Sequence, residues 1–100
     1  LQFFLNVVEF GMPLQEALDA PTVHTRHFPA SFYPRAAVPL RVSAEGRISA
    51  EVLDELRRRG HDVVVPGDWE HGRVQAVTWS KDGLAGAASP RRETAYVMGW

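Results

Sequence analysis

Residues 48–65 read ISAEVLDELRRRGHDVVV, and this stretch predicts a helix, a glycine stop and a strand in direct succession. Ser49 suits an N-cap, where its hydroxyl accepts from an early backbone N–H of a helix over Ser49–Gly60. Ile48 and Leu53 stand at staple positions around that cap. Val52, Leu53 and Leu56 form an apolar stripe, and fully burying each side chain contributes about 1.5–3 kcal/mol. Asp54–Arg58 and Glu55–Arg59 are spaced for favourable i,i+4 pairs. Arg57, Arg58 and Arg59 lie at the negative end of the helix dipole, and Gly60 ends the helix. His61–Pro66, with Val63, Val64 and Val65, reads as a short buried strand.

Outward from this stretch, the C-terminal side reads as a hairpin. Arg73–Ser80 alternates as a strand, with faces Arg73/Gln75/Val77/Trp79 and Val74/Ala76/Thr78/Ser80. Lys81-Asp82-Gly83 is the turn, and Leu84–Ala88 the returning strand. Ala85, Gly86, Ala87 and Ala88 are small enough to admit a close layer. On the N-terminal side, Gln2, Asn6 and Glu9 make one narrow polar stripe in the apolar run Leu1–Phe10. That predicts a helix that needs neighbours on several sides and would expose a sticky patch without them. Gly11 suits the left-handed position after it. A short helix over Pro13–Ala20 follows, with Pro13 at the first helical position and Pro21 ending the element. Thr22–Pro39, punctuated by Pro29, Pro34 and Pro39, reads as extended pieces and loop.

The bulk properties narrow the classes. One hundred residues make one domain or a piece of one. A formal charge of −1 offers nothing to nucleic acid or an anionic membrane. Cysteine is absent, which excludes disulfides and thiolate metal sites. No apolar run reaches the ~18 residues of a membrane-spanning helix. The chain opens inside an apolar element with no basic, cleavable leader. It is therefore expected to be an excerpt, a trimmed piece or a processing product.

Residues with catalytic or ligating potential are present but poorly arranged. His24 and His27, three apart on an extended segment, point to opposite faces, and His61 and His71 follow turn-like neighbourhoods. No cysteine or carboxylate joins these four histidines at zinc-like spacing, so no metal site is expected. The Arg57–Arg59 run shares its helix with Glu51, Asp54 and Glu55 and reads as a solvated helix end. Ser89–Arg92, Ser-Pro-Arg-Arg, suits either bidentate capture of a carboxylate or a tail fastened by ion pairs. There is no Gly-x-Ser-x-Gly elbow. Thr22, Thr25, Thr78 and Thr94 are internal and lack the free α-amine that activates an N-terminal threonine. Trp69, Trp79 and Trp100 read as packing residues.

Taken in order, these segments resemble the γ-glutamyltranspeptidase family. Leu5–Pro21, LNVVEFGMPLQEALDAP, is similar to its helix, Phe-Gly-Met, Gln-Glu-Ala helix and Ala-Pro. Thr22-Val23-His24 keeps only the His of the family's Arg-aromatic-His. Ile48-Ser49 through Leu56 to Arg59-Gly60-His61-Asp62-Val63 resembles its Ile-Ser helix and Arg-Gly-His-x-Val strand. Gly72–Val77 resembles its Gly-x-x-Gln-Ala-Ile strand. Gly86–Arg92 resembles Gly-Ala-Ser-Asp-Pro-Arg-Arg, with Ser89 where Asp is usual, and Gly99-Trp100 resembles the closing Gly-Tyr.

The resemblance implies an α+β fold. The chain would be part of an N-terminal nucleophile hydrolase αββα sandwich, with mainly antiparallel strands and packed helices. It implies that residues 1–100 are the C-terminal part of the small subunit. The parent enzyme would cleave itself to expose a threonine. That threonine attacks γ-glutamyl amides such as glutathione, and the glutamyl group passes to water or an amine. The oxyanion would be held near a Gly-Gly pair. The implied partners are the large subunit, the rest of the small subunit and a γ-glutamyl substrate, with no cofactor. The nucleophile, the glycine pair and the substrate-binding residues all precede Leu1 in the family pattern. No catalytic, substrate-binding or metal residue is therefore expected here, and the segment alone is expected to be inactive. The family suggests a periplasmic or secreted location for a bacterial member. Two alternatives stand beside this reading: a cephalosporin-acylase-like enzyme of the same fold, and a non-enzymatic domain that associates through its first helix.

Overall fold

The computed structural model describes residues 1–91 and 95–99. In chain order its elements are α1 (Gln2–Val8), α2 (Leu14–Asp19), β1 (Val23–Thr25), β2 (Arg41–Ala44), α3 (Ala50–Arg58), β3 (Asp62–Val64), β4 (Gln75–Ser80) and β5 (Gly83–Ala88). They fall into two compact units, Leu1–Ala20 with Gly72–Trp100, and Pro21–His71.

In the first unit, β4 and β5 form the expected antiparallel hairpin, paired from Gln75↔Ala88 to Ser80↔Gly83. The loop is the two residues Lys81 and Asp82, and Gly83 takes the positive φ (120°) that such a tight reversal favours. Helix α2 packs on β5, and Ala17, Leu18 and Ala87 are buried there. The small residues of β5 admit neighbours as anticipated: a Cβ on Gly86 would collide with Val97. Pro13 stands one residue earlier than expected, as the N-cap of α2 with ψ 149°, and Ala20 before Pro21 is extended. Helix α1 forms as expected, and the Asn6 side-chain amide donates to the Ala17 carbonyl at 3.3 Å. Phe4, Leu5 and Val8 of α1 are exposed, as are Val77 (72%), Trp79 (87%) and Leu84 (77%) on one face of the hairpin.

The second unit is a three-stranded sheet in the order β1-β2-β3. Strand β1 pairs antiparallel with β2, and β2 pairs parallel with β3. Strand β2 has no counterpart among the sequence expectations. Helix α3 connects β2 to β3 and packs against β3, with Leu53 buried. Val52 is exposed, so the expected stripe narrows to Leu53 and a half-buried Leu56. The strand His61–Pro66 shortens to Asp62–Val64, half-buried at its valines, because its pairing with β2 stops at Ser43↔Val64, and Val65 beyond it is exposed. Ser49 has the extended backbone of an N-cap, but its hydroxyl makes no capping bond. Gly11 and Gly60 take the positive φ expected after α1 and α3.

The ion pairs of α3 are partly redistributed. Glu55 accepts from both Arg58 (2.6 Å) and Arg59 (2.7 Å), while Asp54 pairs with Arg57 (2.7 Å) instead of Arg58. One carboxylate between two guanidinium groups is the tighter arrangement, and it draws Arg58 away from Asp54. Arg58, then Arg59, hold the Glu55 carboxyl below its usual range. A lowered carboxylate contributes stability above its ordinary titration range and loses it as the pH falls through the lowered value. Helical circular dichroism from α3 should therefore decrease on acidification from pH 7 to pH 3. Because these groups are solvent-accessible, the effect should shrink in high salt.

Candidate functional site

The face of the second unit's sheet carries a cavity. The pairing register sets His24, Ser43 and Val64 side by side across the three strands. Alternation along the strands puts Arg41 on the Ser43 face, and Arg26 follows His24 two residues later on the same side. All five line a cavity of about 300 Å³, with Glu70 and His71 at its wall.

What carries residues 70–71 to that face is Glu45, the residue after β2, which is 0% exposed. One carboxylate oxygen accepts from the backbone N–H groups of Glu70 (3.0 Å) and His71 (3.2 Å). The other accepts from the Thr22 N–H (3.0 Å) and from the Arg47 guanidinium (3.1 Å). A carboxylate so enclosed is tolerable only because it gathers many donors. Arg47 also donates to the Asp68 carbonyl at 2.9 Å and lies 3.5 Å from the centroid of the Trp69 ring. Gly46 donates to the Gly67 carbonyl at 2.9 Å. Residues 45–47 thus hold the 67–71 segment from one side.

Ser43 Oγ and His71 Nε2 are 2.8 Å apart, the separation of a nucleophile and its base. The His71 ring stacks on His24, with centroids 6.0 Å apart. His71 Nδ1 is buried and has no hydrogen-bond partner among the described residues. A base must be oriented through its second nitrogen to work reliably, so this pair lacks the third member of a catalytic triad. Its evident contribution is to fix the imidazole against the sheet. Arg41 is held by Asp62 at 2.7 Å.

The other candidates lie apart. His27 Nδ1 accepts from the Leu40 N–H at 3.2 Å, separating it from His24. Among the described residues there is no group of three or more His, Cys, Asp or Glu that could hold a metal ion. Of the Ser89–Arg92 segment, residues 89–91 are described. The Arg91 guanidinium donates to the carbonyls of Leu18 and Ala20 (2.7 Å to Ala20), and Gln15 donates to the Ala88 carbonyl at 3.1 Å. Arg91 fastens the strand end to the last carbonyls of α2. Arg92, Thr94 and Trp100 lie outside the described residues. Among the described residues no helix is long and apolar enough to cross a membrane.

Sequence reading passes over Glu45, Arg47 and Ser43. Recognising Arg41–Ala44 as a strand would have flagged Ser43. Nothing local marks Glu45 as buried, since the backbone N–H groups it accepts from lie 23 to 26 residues away.

The sequence profile of γ-glutamyltranspeptidase matches residues 1–99. No curated protein matches. Among solved structures, LmbA2991HD is 45% identical with a TM-score of 0.81, over 90% of this chain and 17% of that one. A cephalosporin acylase from Bacillus halodurans is 30% identical with a TM-score of 0.70, over 90% and 15%. A γ-glutamyltranspeptidase from Pseudomonas nitroreducens, complexed with L-DON, is 27% identical with a TM-score of 0.68, over 98% and 47%. This chain therefore spans less than half the length of each of these three.

Proposed function

Since the chain belongs to the γ-glutamyltranspeptidase family and has the mixed α/β, N-terminal nucleophile hydrolase fold of its relatives, we propose that it is the C-terminal part of the small subunit of an amide-cleaving enzyme. In that enzyme a threonine contributed by other residues attacks a γ-glutamyl amide and passes the glutamyl group to water or an amine. These residues contribute sheet, helix and fastening bonds. The observation that carries the reading is the profile match over residues 1–99. The exposed Val77, Trp79 and Leu84 support it, because an apolar sheet face of this kind is what a strand layer of a larger enzyme covers.

The test is turnover of a chromogenic γ-glutamyl anilide. The intact protein that carries this chain should release the anilide. The purified 100-residue chain should not, and release by it would refute the supporting role. A second reading has its own observation: identity to the cephalosporin acylase is 30%, against 27% for the Pseudomonas transpeptidase. If the intact protein cleaves a cephalosporin side-chain amide and leaves the γ-glutamyl anilide untouched, that reading replaces the first.

A further inference from the structure

Residues 28–40 form a closed loop in the second unit. Its base is fixed where the Val38 N–H donates to the Arg26 carbonyl (2.8 Å) and the Leu40 N–H to His27 Nδ1 (3.2 Å). Further out the Ala30 N–H donates to the Ala36 carbonyl (3.0 Å), and at the tip the Arg35 N–H donates to the Phe32 carbonyl (2.7 Å). Arg35 turns the tip with φ 57° and Leu40 the base with φ 64°, backbone that residues with side chains rarely adopt and keep only where the surroundings impose it. This framework holds Phe28, Phe32 (85% exposed) and Tyr33 (95%) out from the fold. Packing within the chain does not account for these rings, since they bury almost none of their apolar surface in it.

The charge of the region has one sign. Residues 20–44 contain no Asp or Glu, and all 12 acidic residues of the chain lie elsewhere. Within 28–40 the one charged residue is Arg35, and it makes no ion pair among the described residues. A single cation at the tip is too few for a nucleic acid or an anionic bilayer, which take clusters of basic side chains. Exposed Tyr and Phe beside Arg are the anchors of protein interfaces. The relatives supply the partner, because the chain spans 17%, 15% and 47% of the three described above and most of their polypeptide lies outside the matched part. We propose that this loop docks the chain on the rest of the same enzyme, with Phe32 and Tyr33 filling an apolar pocket there and Arg35 meeting a carboxylate at its rim. The proposal rests on the supporting-part reading above. It adds a second contact, in a different unit from the hairpin face, and states the chemistry of the surface that receives it.

The experiment puts the photoreactive residue p-benzoylphenylalanine in place of Tyr33 and, in a second sample, in place of Trp79 on the hairpin face, both in the intact protein that carries this chain. Cross-linked peptides are mapped by mass spectrometry. From position 33 the cross-link should reach a peptide outside these 100 residues that carries Asp or Glu. Arg35→Glu should lower its yield roughly tenfold, as suits one like-charge juxtaposition. Cross-linking from position 79 but not from position 33 overturns the docking proposal and leaves the supporting-part reading standing. Cross-linking from neither overturns both. The docking proposal also falls if position 33 reaches this segment of a second copy, if it reacts only with added phosphatidylglycerol vesicles, or if Arg35→Glu leaves the yield unchanged.

Discussion

Glu45→Ala should destabilise the second unit by about 3–5 kcal/mol, the range for breaking a buried ionic group from its partner. The carboxylate is fully enclosed and receives three backbone N–H groups and Arg47. Alanine leaves all of these donors without an acceptor in a space too tight for easy solvation. Glu45→Gln is the sharper variant because it keeps the shape. Its amide offers one acceptor oxygen and turns an NH₂ group towards the remaining donors, so about half of the loss should persist. Amide exchange measured residue by residue reads this directly. Thr22, Glu70 and His71 should lose protection in both variants, with the β4–β5 amides as internal reference. Unaltered protection at these three positions would mean that the Glu45 cluster does not hold the 67–71 segment.

Trp79→Asp should have opposite effects in two contexts. Trp79 is exposed on the Val77–Trp79–Leu84 face of the hairpin. In the isolated 100-residue chain, aspartate removes the largest apolar side chain of that patch, and self-association and dye binding should fall. In the intact protein the proposed function has this face covered. Loss of the buried tryptophan should then cost about 3–5 kcal/mol, and the stranded carboxylate more. Melting temperature and γ-glutamyl anilide turnover of the intact protein are the readouts. An intact protein indifferent to the substitution would show that the face is solvated there too, and the supporting-layer proposal would fail.

The elements legible from sequence are those whose signals are local. The α3 helix announces itself by Ser49, an apolar repeat and Gly60, all within a dozen residues. The hairpin is legible because Lys81-Asp82-Gly83 separates two short strands, and a two-residue reversal needs only its own backbone geometry. Strand β2 is not legible. Arg41-Val42-Ser43-Ala44 is only weakly apolar, and it becomes a strand by pairing with β1 on one side and β3 on the other, each well away along the chain. The pairing of Arg58 departs from expectation for a related reason. Spacing allows both Asp54 and Glu55, and side-chain conformation chooses the partner that can hold two arginines at once. The Arg91 fastening is half legible: the motif suggests an anion-holding or tail-fastening role, and the carbonyls that α2 supplies to it have no signature in the motif.

The helices and the hairpin were determined by the order of residues along the chain, because each depends on neighbours within a turn or two, and family membership by the ordered series of such segments over residues 1–99. The burial of Glu45, the Ser43–His71 contact and the cavity on the three-stranded sheet were decided by tertiary structure alone. Their energies come from desolvation and from donors brought together over more than twenty residues, quantities that have no local signature until the backbone has closed around them.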